Sequence, residues 1–238
     1  MQTSVDAQAS IRIVGELHDR NIDQYELISA RRALRLLKGN LGQDRLCDLI
    51  KEQVAKGNKL FRDHVERSGG RTETGTITIE ATNLTVTDFC AWLSRAFTRQ
   101  DVLIAAQPEH YLMDMVDSHG PHVVETLGDH VVGFHTGGWD ESQVAESGGV
   151  DRRQSTLTLD DDGTVFGSVS TAFFEAPDGM SAELSITLPA TSAPEAIEQH
   201  LQHFSVEFRS WMLMAAAESR ASVIWPEKTC SDNVYCNY

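Results

Sequence analysis

EAIEQHLQHFSVEFRSWMLMAAA, residues 195–217, is the stretch from which the rest of the chain can be read. Its apolar positions Ile197, Leu201, Phe204, Phe208, Trp211 and Ala215 recur at the three-and-four spacing of one helical face. With Thr191 or Ser192 as cap and Pro194 in the first turn, a helix from about Ser192 to Arg220 is predicted. His203 and Glu207, four residues apart, project together from a flank of that stripe, beside Trp211 and Met214. Such a pair can grip one metal ion or hydrogen-bond to itself, and the helix alone favours the second reading.

Upstream of this helix the texture is that of strands. Alternating or apolar runs at 75–81, 102–106, 109–116, 121–127, 130–136, 154–159, 164–174 and 180–188 read as β-structure. Turn residues separate them at Asp117 to Gly120, Gly128-Asp129, Asp160 to Gly163 and Pro177 to Gly179. One helix interrupts the run at 85–99, capped by Thr85 or Thr87, with Phe89, Trp92, Leu93 and Phe97 inward. The Gly-, Glu- and Ser-rich segment 137–154 reads as a loop, long enough to serve as a lid. Strand, helix, a series of antiparallel strands and a long final helix define an α+β protein. That order resembles the helix-grip, START-like architecture, a curved antiparallel sheet around a C-terminal helix with a cavity between them.

Residues 1–72 differ from this body. Two helical patterns, one through Tyr25, Ile28, Leu34 and Leu37 and one through Leu46, Leu49, Val54, Leu60 and Phe61, end at Gly39-Asn40 and Gly69-Gly70. They predict an N-terminal helical extension (1–72) preceding a helix-grip domain with a tail (73–238), and the extension must pack on the body or on a second copy in a homodimer. His18 and His64 are expected to face solvent. Residues 1–72 carry 13 Lys and Arg against 10 Asp and Glu, whereas residues 73–238 carry 7 against 25. A body that acidic repels phosphate backbones and anionic membranes, so nucleic acid and membrane surfaces are excluded as partners.

No apolar run reaches membrane-spanning length, no secretory signal opens the chain, and a cytoplasmic protein is expected. The four cysteines, Cys47, Cys90, Cys230 and Cys236, form no C-x-x-C, and reduced thiols are the default. There is no nucleophile elbow, P-loop or dinucleotide fingerprint.

A partner for His203 and Glu207 can be sought in the hairpin that turns at Asp117 to Gly120. Strict pairing there sums to about 236, setting His110 opposite residue 126 and diagonal to Glu125. Alternation then groups His110 with Pro108, Leu112 and Asp114 on one face, and Glu125 with Val123 and Leu127. Both polar residues sit among apolar neighbours, where an ionised glutamate needs a counter-charge. Two histidines and two glutamates suit zinc, with manganese or iron also compatible. A second group, His119, His122, His130 and His135, mixes faces and reads as rim and loop residues.

His110, His203, Glu207 and the general layout resemble the diacetylphloroglucinol hydrolases, zinc enzymes with a helix-grip body, a helical N-terminal part and a two-His, two-Glu site. The resemblance covers about residues 75–220, with Glu125 placed as fourth ligand by the hairpin pairing. It implies metal-dependent hydrolysis of the carbon–carbon bond joining an acyl group to a phenolic ring, in a small apolar or phenolic substrate. Such a reaction needs an acid near the ring, for which Asp114 and His122 are the candidates. The alternative is a metal-free member of the same fold that binds a small ligand or cyclises a polyketide.

Overall fold

The computed structural model describes residues 19–115, 117, 120–137, 151–192 and 194–224. His18, His119, Cys230, Cys236, the tail from 225 and residues 138–150 of the expected loop lie outside them. By its internal contacts the chain forms two units, residues 1–42 and 43–238. The division falls inside the expected 1–72 extension.

The first unit contains α1 (Asp19–Leu41), on which Tyr25, Leu27, Ile28, Leu36 and Leu37 are exposed. The second begins with α2 (Gln43–Ser68), followed by β1 (Thr72–Thr82), α3 (Val86–Ala96), α4 (Gln100–Ala106), β2 (His110–Asp114), β3 (His122–Leu127), β4 (His130–Gly137), β5 (Asp151–Leu159), β6 (Val165–Ala176), β7 (Gly179–Pro189) and α5 (Pro194–Ile224). The seven strands form one antiparallel sheet in the order β1-β7-β6-β5-β4-β3-β2.

Alternation fixes what each face does. On β7, Met180, Ala182, Leu184, Ile186 and Leu188 are all buried, with register partners Ala81, Ile79 and Ile77 on β1 and Phe173 and Thr171 on β6. This inner face receives α5, whose Phe204, Phe208, Trp211, Met212 and Ala215 are buried. The helix packs against β1 and β7 and also meets β3, near the opposite end of the strand order. A sheet must curl for one helix to reach both regions, and this is the helix-grip architecture. At β1 the approach depends on Gly75, where a Cβ would lie 2.3 Å from the Ile197 side chain.

The outer face holds α2 against β4. Gly57 faces the Val131 carbonyl so closely that a Cβ would sit 2.1 Å from its oxygen. Asn58 is buried beside it, accepting from the Gly133 N–H (3.0 Å) and donating to Asp160 (2.7 Å). Arg62 reaches Asp161 and Asp162 in the β5–β6 turn. His64, expected to face solvent, is half-buried with Nδ1 3.2 Å from Thr191 Oγ1, because α2 lies on the body there.

Two segments differ from their expected structure. Residues 100–106, expected as a strand from 102, form α4. Val102, Leu103 and Ala106 are its buried positions, and that spacing belongs to a helix. The expected loop 137–154 yields to β5 from Asp151, since Arg153 and Ser155 pair with Thr171 and Val169 of β6. Among the described residues, no helix is long and apolar enough to cross a membrane.

Candidate metal centre and cavity

β2 and β3 bring the first two side chains together through a bulge. Leu112, Met113 and Asp114 pair with Val124, Val123 and His122 at the expected register, but the ladder shifts between Leu112 and His110. One extra residue, Tyr111, therefore moves His110 from opposite Thr126 to opposite Glu125. The bulge also breaks the alternation: His110 and Met113 are buried, while Leu112 and Asp114 are only half-buried. His110 is fully buried, and Glu125, His203 and Glu207 are each about 5–6% exposed.

The donor atoms converge. His110 Nε2 lies 3.0 Å from His203 Nε2 and 3.4 Å from Glu125 Oε2, and His203 Nε2 lies 3.5 Å from the same Glu125 oxygen. Glu207 Oε1 adds a fourth donor 3.5 Å from His110 Nε2. Donors about 2.0–2.1 Å from a tetrahedral ion stand about 3.3 Å apart, so the His110, Glu125 and His203 triangle matches one face of such a shell. Among the described residues, no other group of three His, Cys, Asp or Glu brings its donors this close.

The surroundings prepare these groups as ligands. His110 Nδ1 donates to the Leu103 carbonyl at 3.2 Å, in the last turn of α4, where helix carbonyls lack intrahelical partners. That bond leaves the Nε2 lone pair directed at the centre, the usual outer support of a metal-bound imidazole. On the other histidine, Nδ1 lies 3.8 Å from Glu109 Oε2, and the Gln107 side chain donates to its backbone carbonyl at 3.4 Å.

Burial dominates the electrostatics. It pushes the Glu207 carboxyl up to about 8, against the pull of His203 and with the help of Glu125. Glu125 is raised for the same reason, His203 lowering it and Glu109 adding to the rise. Burial acts to lower His203, but Glu125, Glu109 and Glu207 outweigh it and hold that imidazole above its ordinary value. Two carboxyls reluctant to ionise and an imidazole reluctant to lose its proton form an environment whose demand for positive charge a divalent ion meets. His110, Glu125 and His203 fit such an ion in type and spacing, and Glu207 reaches the group through His110.

The centre lies at the wall of a cavity of about 110 Å³ between the sheet and α5. Glu125, Glu207 and His200 line it together with Met113, Val123, Phe134, Leu157, Phe173 and Phe208. His200 is a functional candidate that the sequence reading did not select. It stacks on His203 (centroids 5.3 Å, planes 11° apart), and its Nδ1 lies 4.0 Å from Glu125 Oε1. Burial, then the neighbouring His203 and His110, hold its pKa well below the ordinary value. The spacing His200, His203, Glu207 on one helix was the available signal.

The two expected acids are not at this centre. Asp114 is turned to the other face by the Tyr111 bulge, and accepts from the Gln100 side chain at 3.0 Å. His122 lies on that outer face as well, with Nε2 2.9 Å from Asp160 Oδ2 and its ring stacked on His135 at 4.7 Å. Burial acts to raise Asp160, but hydrogen bonds from His122 and Asn58 prevail and keep its carboxyl below the ordinary range. This second group ties the sheet to α2.

No protein-family profile matches the sequence, and no curated protein matches it. Solved structures with a similar fold include Ara h 8.0201, at 13% identity and a TM-score of 0.43, over 62% of this chain and 99% of that one. An uncharacterized protein from Rhizobium leguminosarum aligns at 13% identity and a TM-score of 0.38, over 62% of this chain and 97% of that one. The di-domain ARO/CYC BexL from the BE-7585A biosynthetic pathway aligns at 16% identity and a TM-score of 0.39, over 64% of this chain and 52% of that one. These are distant likenesses, and the helix-grip description rests on the strand order and the packing of α5.

Proposed function

We propose that this protein binds a small, largely apolar molecule between the sheet and α5 and acts on it with a divalent metal held by His110, Glu125, His203 and Glu207. The observation that carries the reading is the meeting of the His110, Glu125 and His203 donors, 3.0–3.5 Å apart, with Glu207 3.5 Å from His110, at the wall of an apolar cavity. When bound there, such an ion supplies Lewis acidity toward a carbonyl or a water. The protein's own part is to position and to exclude. Phe134, Phe173 and Phe208 offer a ring-shaped apolar surface, and the Leu103 carbonyl fixes the orientation of His110.

The reaction this arrangement suits best is hydrolysis of an aryl ketone: water adds to the carbonyl, the bond to the ring breaks, and the ring carbon takes a proton. Carboxylic acid and arene are the products. His200 is the buried imidazole nearest the centre that is not assigned as a ligand; held neutral by burial, it would take a proton from the attacking water and pass it to the ring carbon, in place of the acid proposed from sequence at Asp114 or His122. The test incubates the protein, with and without added zinc, with an acylated polyhydroxybenzene and follows carboxylate release by proton NMR. Release that needs metal and is lost in His203→Ala is the expected result. Stoichiometric metal with no release from any acylated phenol would count against the hydrolase.

A second reading is a metal-free ligand-binding or cyclase function. It is favoured by the 3.0 Å separation of His110 Nε2 and His203 Nε2, which one shared proton also satisfies. Retained ligand binding in protein that takes up no metal would select it.

A further inference from the structure

Away from the metal centre, Thr136, Arg153, Thr171 and Trp211 are the polar side chains that line the same cavity, and the last two carry buried polar atoms without a use so far. Thr171 stands on the inner face of β6, three strands along the sheet from β3, and Trp211 stands one helical turn beyond Glu207 on α5. Both are buried, and neither Thr171 Oγ1 nor Trp211 Nε1 has a hydrogen-bond partner among the described residues. Buried polar atoms in native proteins are seldom left so, because each forfeits the hydrogen bond it made to water. Their apolar neighbours Phe173 and Phe208 cannot satisfy them. An indole N–H only donates, and a hydroxyl donates or accepts, so one partner that suits both is an oxygen acceptor.

We infer that Trp211 and Thr171 are the specificity-determining residues of the cavity, selecting an aromatic molecule that bears a carbonyl or hydroxyl oxygen over a hydrocarbon of the same shape; this rests on the cavity being a small-ligand site, as proposed above. The metal centre then addresses one part of the ligand, and this pair reads the oxygen at another. A site built to hydrogen-bond an oxygen discriminates strongly against the analogue lacking it, since its own polar atoms stay unpaired when the analogue binds.

Acetophenone and α-methylstyrene, alike in shape with a CH2 group in place of the carbonyl oxygen, are the probes. Each is titrated by NMR into the wild type, Trp211→Phe, Thr171→Val and the double variant, and the melting temperature of each ligand-free protein is recorded. The wild type is expected to prefer acetophenone by roughly tenfold, and the double variant to bind both compounds alike. Ligand-free Thr171→Val is expected to melt at or above the wild-type temperature, because it loses an unsatisfied polar atom and keeps its shape, whereas Trp211→Phe also removes ring volume from the core and is expected to melt lower. Equal affinity of the wild type for the two probes, a preference that survives in the double variant, or lowered ligand-free melting of Thr171→Val would overturn the assignment. Failure of the wild type to bind either compound would instead remove the small-ligand reading of the cavity, and this assignment with it.

Discussion

At the residue scale the site turns on a single insertion. Strict alternation through β2 aims Asp114 at the same face as His110 and leaves Glu125 on a diagonal; the extra residue at Tyr111 reverses the first and squares the second. No sequence signal marks that bulge, since Tyr111 has neither the glycine nor the turn chemistry that would announce one. That His110 and Glu125 meet the α5 pair was nonetheless legible, because His203 and Glu207 follow helical spacing and two polar residues among apolar strand neighbours had to share a partner. Removing one of them should be decisive. His203→Ala is expected to weaken zinc binding by more than about 100-fold, since even the loss of an outer partner costs on the order of 10–100-fold, and calorimetric titration checks it. A second expectation concerns Glu207 without metal. Its folded pKa of about 8 stands above its ordinary 4.5. The stability it contributes is therefore fully present below about 4.5 and is lost as pH rises through about 8. Metal-free wild type should lose stability relative to Glu207→Gln across that window, as read from denaturant midpoints at about pH 5 and about pH 9. A constant difference between the two proteins would mean that the carboxyl is not held protonated.

At the scale of elements, α5 and most strands were readable because their burial is one-sided and periodic. What escaped was short or sat on both patterns. α4 reads as a strand in the sequence because the five-residue apolar run at 102–106 carries too few positions to separate a period of two from one of 3.6, yet its last turn supplies the carbonyl that orients His110. The start of β5 was hidden because Arg153 looks like a loop residue, although it pairs with Thr171 of β6 and lines the inner cavity. Placement of α2 depended on Gly57, which in sequence is merely a poor helix former and in the structure is the point of closest approach to β4. Gly57→Ala tests that contact. In an exposed helix the change would stabilise, but here a Cβ 2.1 Å from a backbone oxygen forces the elements apart, and a loss of about 1–3 kcal/mol is expected in urea unfolding. A gain would show that α2 does not dock as described.

At the scale of the whole molecule, charge favours cation uptake. The net charge of −15 divides into +3 on residues 1–72 and −18 on residues 73–238, which contain the centre, and this field raises the local concentration of cations. Glu207, whose pKa of about 8 keeps its proton at neutral pH, must release it to a metal, so zinc uptake should set protons free, and its enthalpy should differ between buffers of unlike ionisation heat. Zinc should also raise the melting temperature, more at about pH 8 than at about pH 6, because binding to the native state alone adds about 4 kcal/mol at a thousandfold excess over Kd. A shift independent of pH would place the ion on surface carboxylates. The most direct measurement is the metal content of the purified chain by native mass spectrometry, for the wild type and for Glu125→Gln. About one divalent ion per wild-type chain, and none in the variant, is the expected result. A wild-type chain that takes up no zinc, manganese or iron, or a variant that retains a full equivalent, would contradict a metal centre at His110, Glu125, His203 and Glu207.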